Sequence, residues 1–105
     1  MLQMLVLSSF VLATAQGLVE SNLNPWAVGK ANERGAWQVI EKYHGKVPAT
    51  LPEQFRHYTK IMDGLRSAHH TEEKAIERYN GKGKKAKRYL ALVQKKALEI
   101  TLLGV

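Results

Sequence analysis

No charged side chain occurs in residues 1–19, and the first charge in the chain is Glu20. An apolar stretch of this length must be covered, because leaving it in water forfeits the main driving force for folding. Asn24-Pro25 follows, and the residue before a proline is pushed out of the helical region. The pattern predicts a helix from about Leu2 to Val19 or Glu20, stopped by Asn24-Pro25. Glu20 then lies at the negative end of the helix dipole, beside apolar neighbours. Both effects disfavour the carboxylate and raise its pKa, the state a general acid needs near neutral pH.

Three coverings are open to the apolar segment. A cleaved leader would use Ala13-Thr14-Ala15, a small-residue cleavage pattern, and would start the mature chain at Gln16. No Lys or Arg precedes the run, however, as a leader of that type requires. A membrane helix is opposed by Gln3, Ser8, Ser9, Thr14, Gln16 and Gly17. The expectation is a core helix covered on nearly all faces by the rest of the protein. Residues 2–16 are then part of the folded domain, and no stable membrane span is expected.

With 105 residues, the chain has room for one domain, 1–105, and one core. Hydrophobic residues make up 45% and charged ones 24%, which places it among globular rather than disordered chains. The absence of cysteine excludes a disulfide framework, thiolate catalysis and cysteine-based zinc sites. Lys and Arg outnumber Asp and Glu by 16 to 9, giving +7. That balance favours a polyanionic partner: nucleic acid, an anionic membrane surface or an acidic wall polymer. The cations gather in Lys82, Lys84, Lys85, Lys87, Arg88, Lys95 and Lys96.

Beyond Pro25, Gly29 and Asn32 mark a loop, and Gly35 to Tyr43 is a short apolar piece that fits either a helical turn or a small strand. Pro52 to about Ala68 reads as a helix. Pro52 and Glu53 suit its first turn, and Phe55, Tyr58, Ile61, Met62 and Leu65 recur at three- and four-residue steps. Thr71 is the predicted N-cap of a helix through Ala75, Ile76 and Tyr79, broken by Asn80-Gly81-Lys82-Gly83. A last helix is predicted from Lys84 to Leu103, with Ala86, Tyr89, Leu90, Val93, Ala97, Ile100 and Leu103 along its inner face. No segment alternates long enough for a firm strand. The fold class expected is mainly α, a small helical domain with at most a minor strand element.

Several chemistries fail on spacing. His69 and His70 are adjacent, so on a helix they point about 100° apart and do not share a metal. With His44 and His57 isolated in sequence, no metal site is expected. Gly81-Lys82-Gly83-Lys84-Lys85 lacks the spacing and the hydroxyl residue of a phosphate loop. The run Lys82 to Arg88 comes with neither a helix-turn-helix pattern nor an aromatic stacking platform, so nucleic acid is not the expected partner.

Three motifs in order carry a resemblance. Glu20-Ser21 is followed by Asn24-Pro25, then Ala27-Val28, then Gly35-Ala36-Trp37-Gln38. Much later comes Ala75-Ile76-Glu77-Arg78-Tyr79-Asn80-Gly81, with Tyr89 in the helix after it. Over roughly residues 8 to 95 the chain resembles the lytic transglycosylase domain of the goose-type lysozyme-like superfamily. In that family the stretches read Glu-Ser-x-x-Asn-Pro, Gly-Leu-Met-Gln and Ala-Leu-x-x-Tyr-Asn-x-Gly. Here Ala36-Trp37 stands in place of Leu-Met, and the stretch between Gln38 and Tyr79 is short for the family, which points to a minimal, phage-like or accessory version.

The resemblance implies a small lysozyme-like helical domain that cleaves peptidoglycan without a cofactor. Glu20 would be the sole catalytic acid and base, and Tyr79 would point its hydroxyl at the Glu20 carboxyl. Gln38 would line the cleft, Ser21 would contact the acetamido group or fix the Glu20 loop, and Asn80 would hold the cleft wall. Trp26 and Trp37 would offer apolar faces to sugars or serve as core aromatics. The bond cut would be the β-1,4 link between N-acetylmuramic acid and N-acetylglucosamine, leaving 1,6-anhydro ends. Expected partners are peptidoglycan glycan strands and the proteins of a phage virion or secretion apparatus. Such an enzyme acts in the bacterial periplasm or cell wall, with delivery by that particle or apparatus expected ahead of signal-peptide export. The alternative is a non-catalytic basic structural or binding component of a virion or secretion machine.

Overall fold

The structure, a computed structural model, describes residues 8–103, so the part of the first predicted helix before Ser8 lies outside the described residues. Within that range lie α1 (Ser9–Ser21), α2 (Glu41–His44), α3 (Leu51–His69), α4 (Glu72–Asn80) and α5 (Lys84–Leu103). The fold is mainly α. Its extended element consists of two isolated antiparallel bridges, Val28 with Arg34 and Arg34 with Val39.

Ser8 caps α1 by accepting from the Val11 N–H at 3.1 Å. The helix ends earlier than the proline requires. Asn22 adopts the left-handed conformation, its N–H bonds to the Leu18 carbonyl, and the Leu23 N–H reaches back to Gly17. The Asn22 bond is the 5→1 closure of an αL cap, with Asn taking the place usually held by glycine. The stop is therefore Asn22 rather than Asn24-Pro25, and it leaves Glu20 in the last turn.

Pro25 to Ile40 is a loop that folds on itself. The Asn24 side chain accepts from the Trp26 N–H at 2.9 Å, and Gly35 (φ 82°) and Gln38 (φ 51°) turn the chain between the two bridges. Gln54 of α3 holds this loop from below. Its Oε1 accepts from the Ala36 N–H at 2.8 Å, and its Nε2 donates to the Pro25 and Pro48 carbonyls, both at 2.9 Å. The predicted apolar piece from Gly35 to Tyr43 divides accordingly into a bridged half and the single turn of α2.

Thr50 caps α3 and Thr71 caps α4, each accepting from an N–H three residues on. Helix α1 packs on α5, α3 on α4, and α4 on α5. Their shared core holds Leu12, Ala13, Ala15, Tyr58, Met62, Ile76, Val93 and Ala97. Of the predicted inner face of α5, Ala86, Tyr89, Val93, Ala97 and Ile100 are buried and Leu90 packs against them partly buried. Leu103 is exposed. Among the described residues no helix is long and apolar enough to cross a membrane.

Candidate functional site

Glu20 is half-buried at the C-terminal end of α1. Removal from water pushes its pKa from 4.5 up to about 7, with the Tyr89 hydroxyl opposing that rise by hydrogen bonding and the Glu33 charge adding to it. The carboxyl is thus part protonated near neutral pH. Three tyrosines feel its charge: Tyr58 of α3, Tyr79 of α4 and Tyr89 of α5. Burial above all raises the pKa of all three phenols, so they stay neutral and act as hydrogen-bond donors.

Of the three, Tyr89 is the one whose hydroxyl favours the Glu20 carboxylate against the effect of burial. Tyr79, expected in that role, donates instead to the Trp37 carbonyl at 2.6 Å. The reason is geometric. Tyr79 stands near the end of α4, next to the Gly35–Gln38 turn, whereas Tyr89 lies on the face of α5 that packs against α1. Tyr79 therefore anchors the turn carrying Gln38 and contributes to Glu20 only from a distance.

Behind Tyr89 stands Gln16, which is fully buried and one helical turn before Glu20. Its Nε2 donates to the Tyr89 hydroxyl oxygen at 3.0 Å, and its Oε1 accepts from the Tyr58 hydroxyl. A glutamine inside an apolar helix face is the signal by which the sequence could have disclosed this network, since buried amides require partners.

The remaining predicted residues divide. Ser21 fixes the loop after Glu20: its hydroxyl donates to the Ala36 carbonyl at 2.7 Å and accepts from the Asn24 N–H at 3.0 Å. Gln38 lines a small recess of about 60 Å³ with Val39, Ile40, His44 and Tyr79. Its amide N–H groups are engaged by the Ala27 and Gly35 carbonyls. Asn80 is exposed at the end of α4.

Trp37 is a core residue at 4% exposure. It stacks on Tyr58 with ring centroids 5.2 Å apart and donates its indole N–H to the Ala13 carbonyl at 2.8 Å. This corrects the reading of Trp37 as a sugar face: Ala36 and Trp37 turn inward because Gln54 holds their backbone against α3. Trp26 is the opposite case. It is 82% exposed and borders a cleft of about 390 Å³ shared with Val28, Arg34 and Lys46.

Among the described residues no group of three or more His, Asp or Glu side chains is arranged to hold a metal ion. In chemical terms the site offers one carboxyl poised between its two forms, one neutral phenol that favours its charged form, and a second carboxylate, Glu33, close enough to act on it electrostatically. The Glu33 side chain accepts from the Ala31 N–H at 2.7 Å. No family of known proteins, no curated protein and no solved structure matches this chain.

Proposed function

We propose that the chain is a peptidoglycan lytic transglycosylase that cuts the β-1,4 bond between N-acetylmuramic acid and N-acetylglucosamine. The observation that carries this reading is the Glu20 carboxyl, half-buried at the end of α1 and raised to about 7 by that burial. A group that must first give a proton and then take one works best with a pKa near the working pH. Glu20 protonates the leaving glycosidic oxygen, while the sugar's own acetamido group supports the oxocarbenium-like state, a substrate-assisted route that needs no second carboxyl. The Glu20 carboxylate then accepts the C6 hydroxyl proton as that oxygen closes on C1, a step favoured by proximity within one bound sugar.

Tyr89 stabilises the carboxylate formed after the first transfer. The exposed face of Trp26 suits a sugar ring, with Arg34 and Lys46 beside it for the acidic groups of the wall. The net charge of +7 favours the same polymer. Delivery of such an enzyme to the wall falls to a virion or a secretion apparatus.

Mass spectrometry of the fragments released from purified wall tests the reading. The expected ends are 1,6-anhydro-N-acetylmuramic acid, and Glu20→Gln abolishes release while circular dichroism stays unchanged. No release from any wall type would transfer the chain to the non-catalytic basic component. The Glu33 charge acting on Glu20 favours one second reading, a hydrolase in which Glu33 activates water. Its fragments would carry reducing ends, and Glu33→Gln would stop their formation.

A further inference from the structure

Helix α5 has two faces of opposite character. Ala86, Tyr89, Val93, Ala97 and Ile100 turn into the core, and the helix packs on α1 and α4. On the other side, Lys84, Arg88, Lys95 and Leu102 follow one another at steps of four and seven residues, which keeps them in one line along a helix. Lys85, Leu92, Lys96 and Leu103 form the neighbouring line at the same kind of steps. All of these are exposed except Lys96, which is half-buried.

We propose that this outward face of α5 is a docking surface for a bilayer that carries anionic phospholipid. Two observations fix the partner, and the first is charge. Helix α5 carries Lys84, Lys85, Lys87, Arg88, Lys95 and Lys96 against the single carboxylate Glu99. Lys87 lies 3.9 Å from Glu77, and Lys96 lies 3.1 Å from Glu99. Among the described residues, Lys84, Lys85, Arg88 and Lys95 are in no ion pair, so their field is open to an outside anion.

The second observation is the leucines. Leu92, Leu102 and Leu103 are 54%, 74% and 77% exposed, in line with those cations. A nucleic-acid backbone or an acidic wall polymer meets ammonium groups but gives an isobutyl side chain nothing to enter. The boundary of a bilayer gives both, with phosphate oxygens at headgroup level and acyl chains just beneath. Lys and Arg stems lie along that boundary while their charged heads stay with the phosphates. The inner side of α5 is already buried in the core, so insertion is shallow: Leu102 and Leu103 enter, and the cations supply most of the attraction. A recess of about 310 Å³ between Val19 of α1 and Leu92, bordered by Lys95 and Lys96, gives room for a headgroup. None of these residues is assigned to wall cleavage, so the surface stands apart from the proposed function.

Flotation of the full chain with vesicles of equal parts phosphatidylcholine and phosphatidylglycerol, against vesicles of phosphatidylcholine alone, tests the proposal. Binding to the anionic vesicles is expected to be tighter by about a hundredfold and to weaken as salt is raised. Lys84→Gln, Arg88→Gln and Lys95→Gln together are expected to lower it about a hundredfold, at roughly fivefold for each charge. Leu102→Ser with Leu103→Ser, which keeps every charge, is expected to lower it about tenfold. All five side chains are exposed, so the variants are expected to keep the circular dichroism of the wild type. Equal binding of the wild type to the two vesicle types, or binding to neither, overturns the proposal by itself. So does a folded Leu102→Ser/Leu103→Ser chain that binds as tightly as the wild type, because the face is then a plain cation field suited to nucleic acid or an acidic wall polymer.

Discussion

Glu20 gives the folded state a proton that the unfolded state does not hold. Its folded pKa is about 7 against 4.5 in the open chain, so between those values unfolding releases the proton. Stability therefore falls as pH rises from 4.5 to 7, and above 7 the full cost is present, roughly 3 kcal/mol at 1.36 kcal/mol per pH unit. Glu20→Gln removes this cost. Urea denaturation is expected to find the variant more stable than wild type by roughly that amount at pH 8, with the difference vanishing near pH 4. A difference that does not change with pH would mean that the carboxyl is not buried as described. The two tyrosines separate in the same way. On the proposed function, Tyr89→Phe removes the hydroxyl that opposes the rise in the Glu20 pKa and should slow wall cleavage about tenfold to a hundredfold. Tyr79→Phe leaves the Trp37 carbonyl without its partner and should cost about 1–3 kcal/mol of stability, with the smaller effect on turnover. Parallel denaturation and turnover assays on both variants read the contrast directly.

At the scale of elements, local signals were legible and angles between elements were not. Thr71, the Asn80-Gly81-Lys82-Gly83 break and the limits of α5 stand where the sequence places them, because a cap or a breaker acts within a few residues. The end of α1 lies within two residues of its expected place, but its terminator is Asn22 rather than Pro25, because Asn enters the left-handed region readily. Which tyrosine reaches Glu20 depends on how α4 and α5 seat against α1, and nothing in the spacing of Tyr79 and Tyr89 encodes that. Gln54 was missed for the same reason: a polar residue on an amphipathic helix looks solvated until a loop lies over it. Gly17 carries the most testable element-level constraint. A Cβ there would lie 2.3 Å from Leu23 Cδ2 and 3.2 Å from the Trp37 ring, at the contact that closes α1. Gly17→Ala gains about 1 kcal/mol of helix propensity. It also forces Leu23 from its seat, and overpacking costs about 1–3 kcal/mol. Net destabilisation in thermal unfolding is expected. A rise in melting temperature would show that Leu23 moves aside freely.

For the whole molecule, composition pointed to a globule, the residue pattern to a helical one, and the uncharged first segment to a helix at its core. Leu12, Ala13, Ala15 and Gln16 all lie in the interior, and the pairing of α1 with α5 closes one side of it. A chain beginning at Gln16 lacks Leu12, Ala13 and Ala15 and uncovers the apolar face of α5. It should aggregate on expression, with light scattering and size-exclusion chromatography as the check. A soluble, monomeric product would place α1 outside the essential core. The same pairing bears on how the protein comes into being. Gln16 and its partner Tyr89 stand 73 positions apart, so the surroundings of Glu20 are completed by a long-range closure, which topology makes slow. During synthesis the acid emerges early and its tyrosine late. Until α5 leaves the ribosome, Glu20 is an ordinary carboxylate with an ordinary acidity. The weakened acidity of Glu20 is thus among the last things the nascent chain acquires.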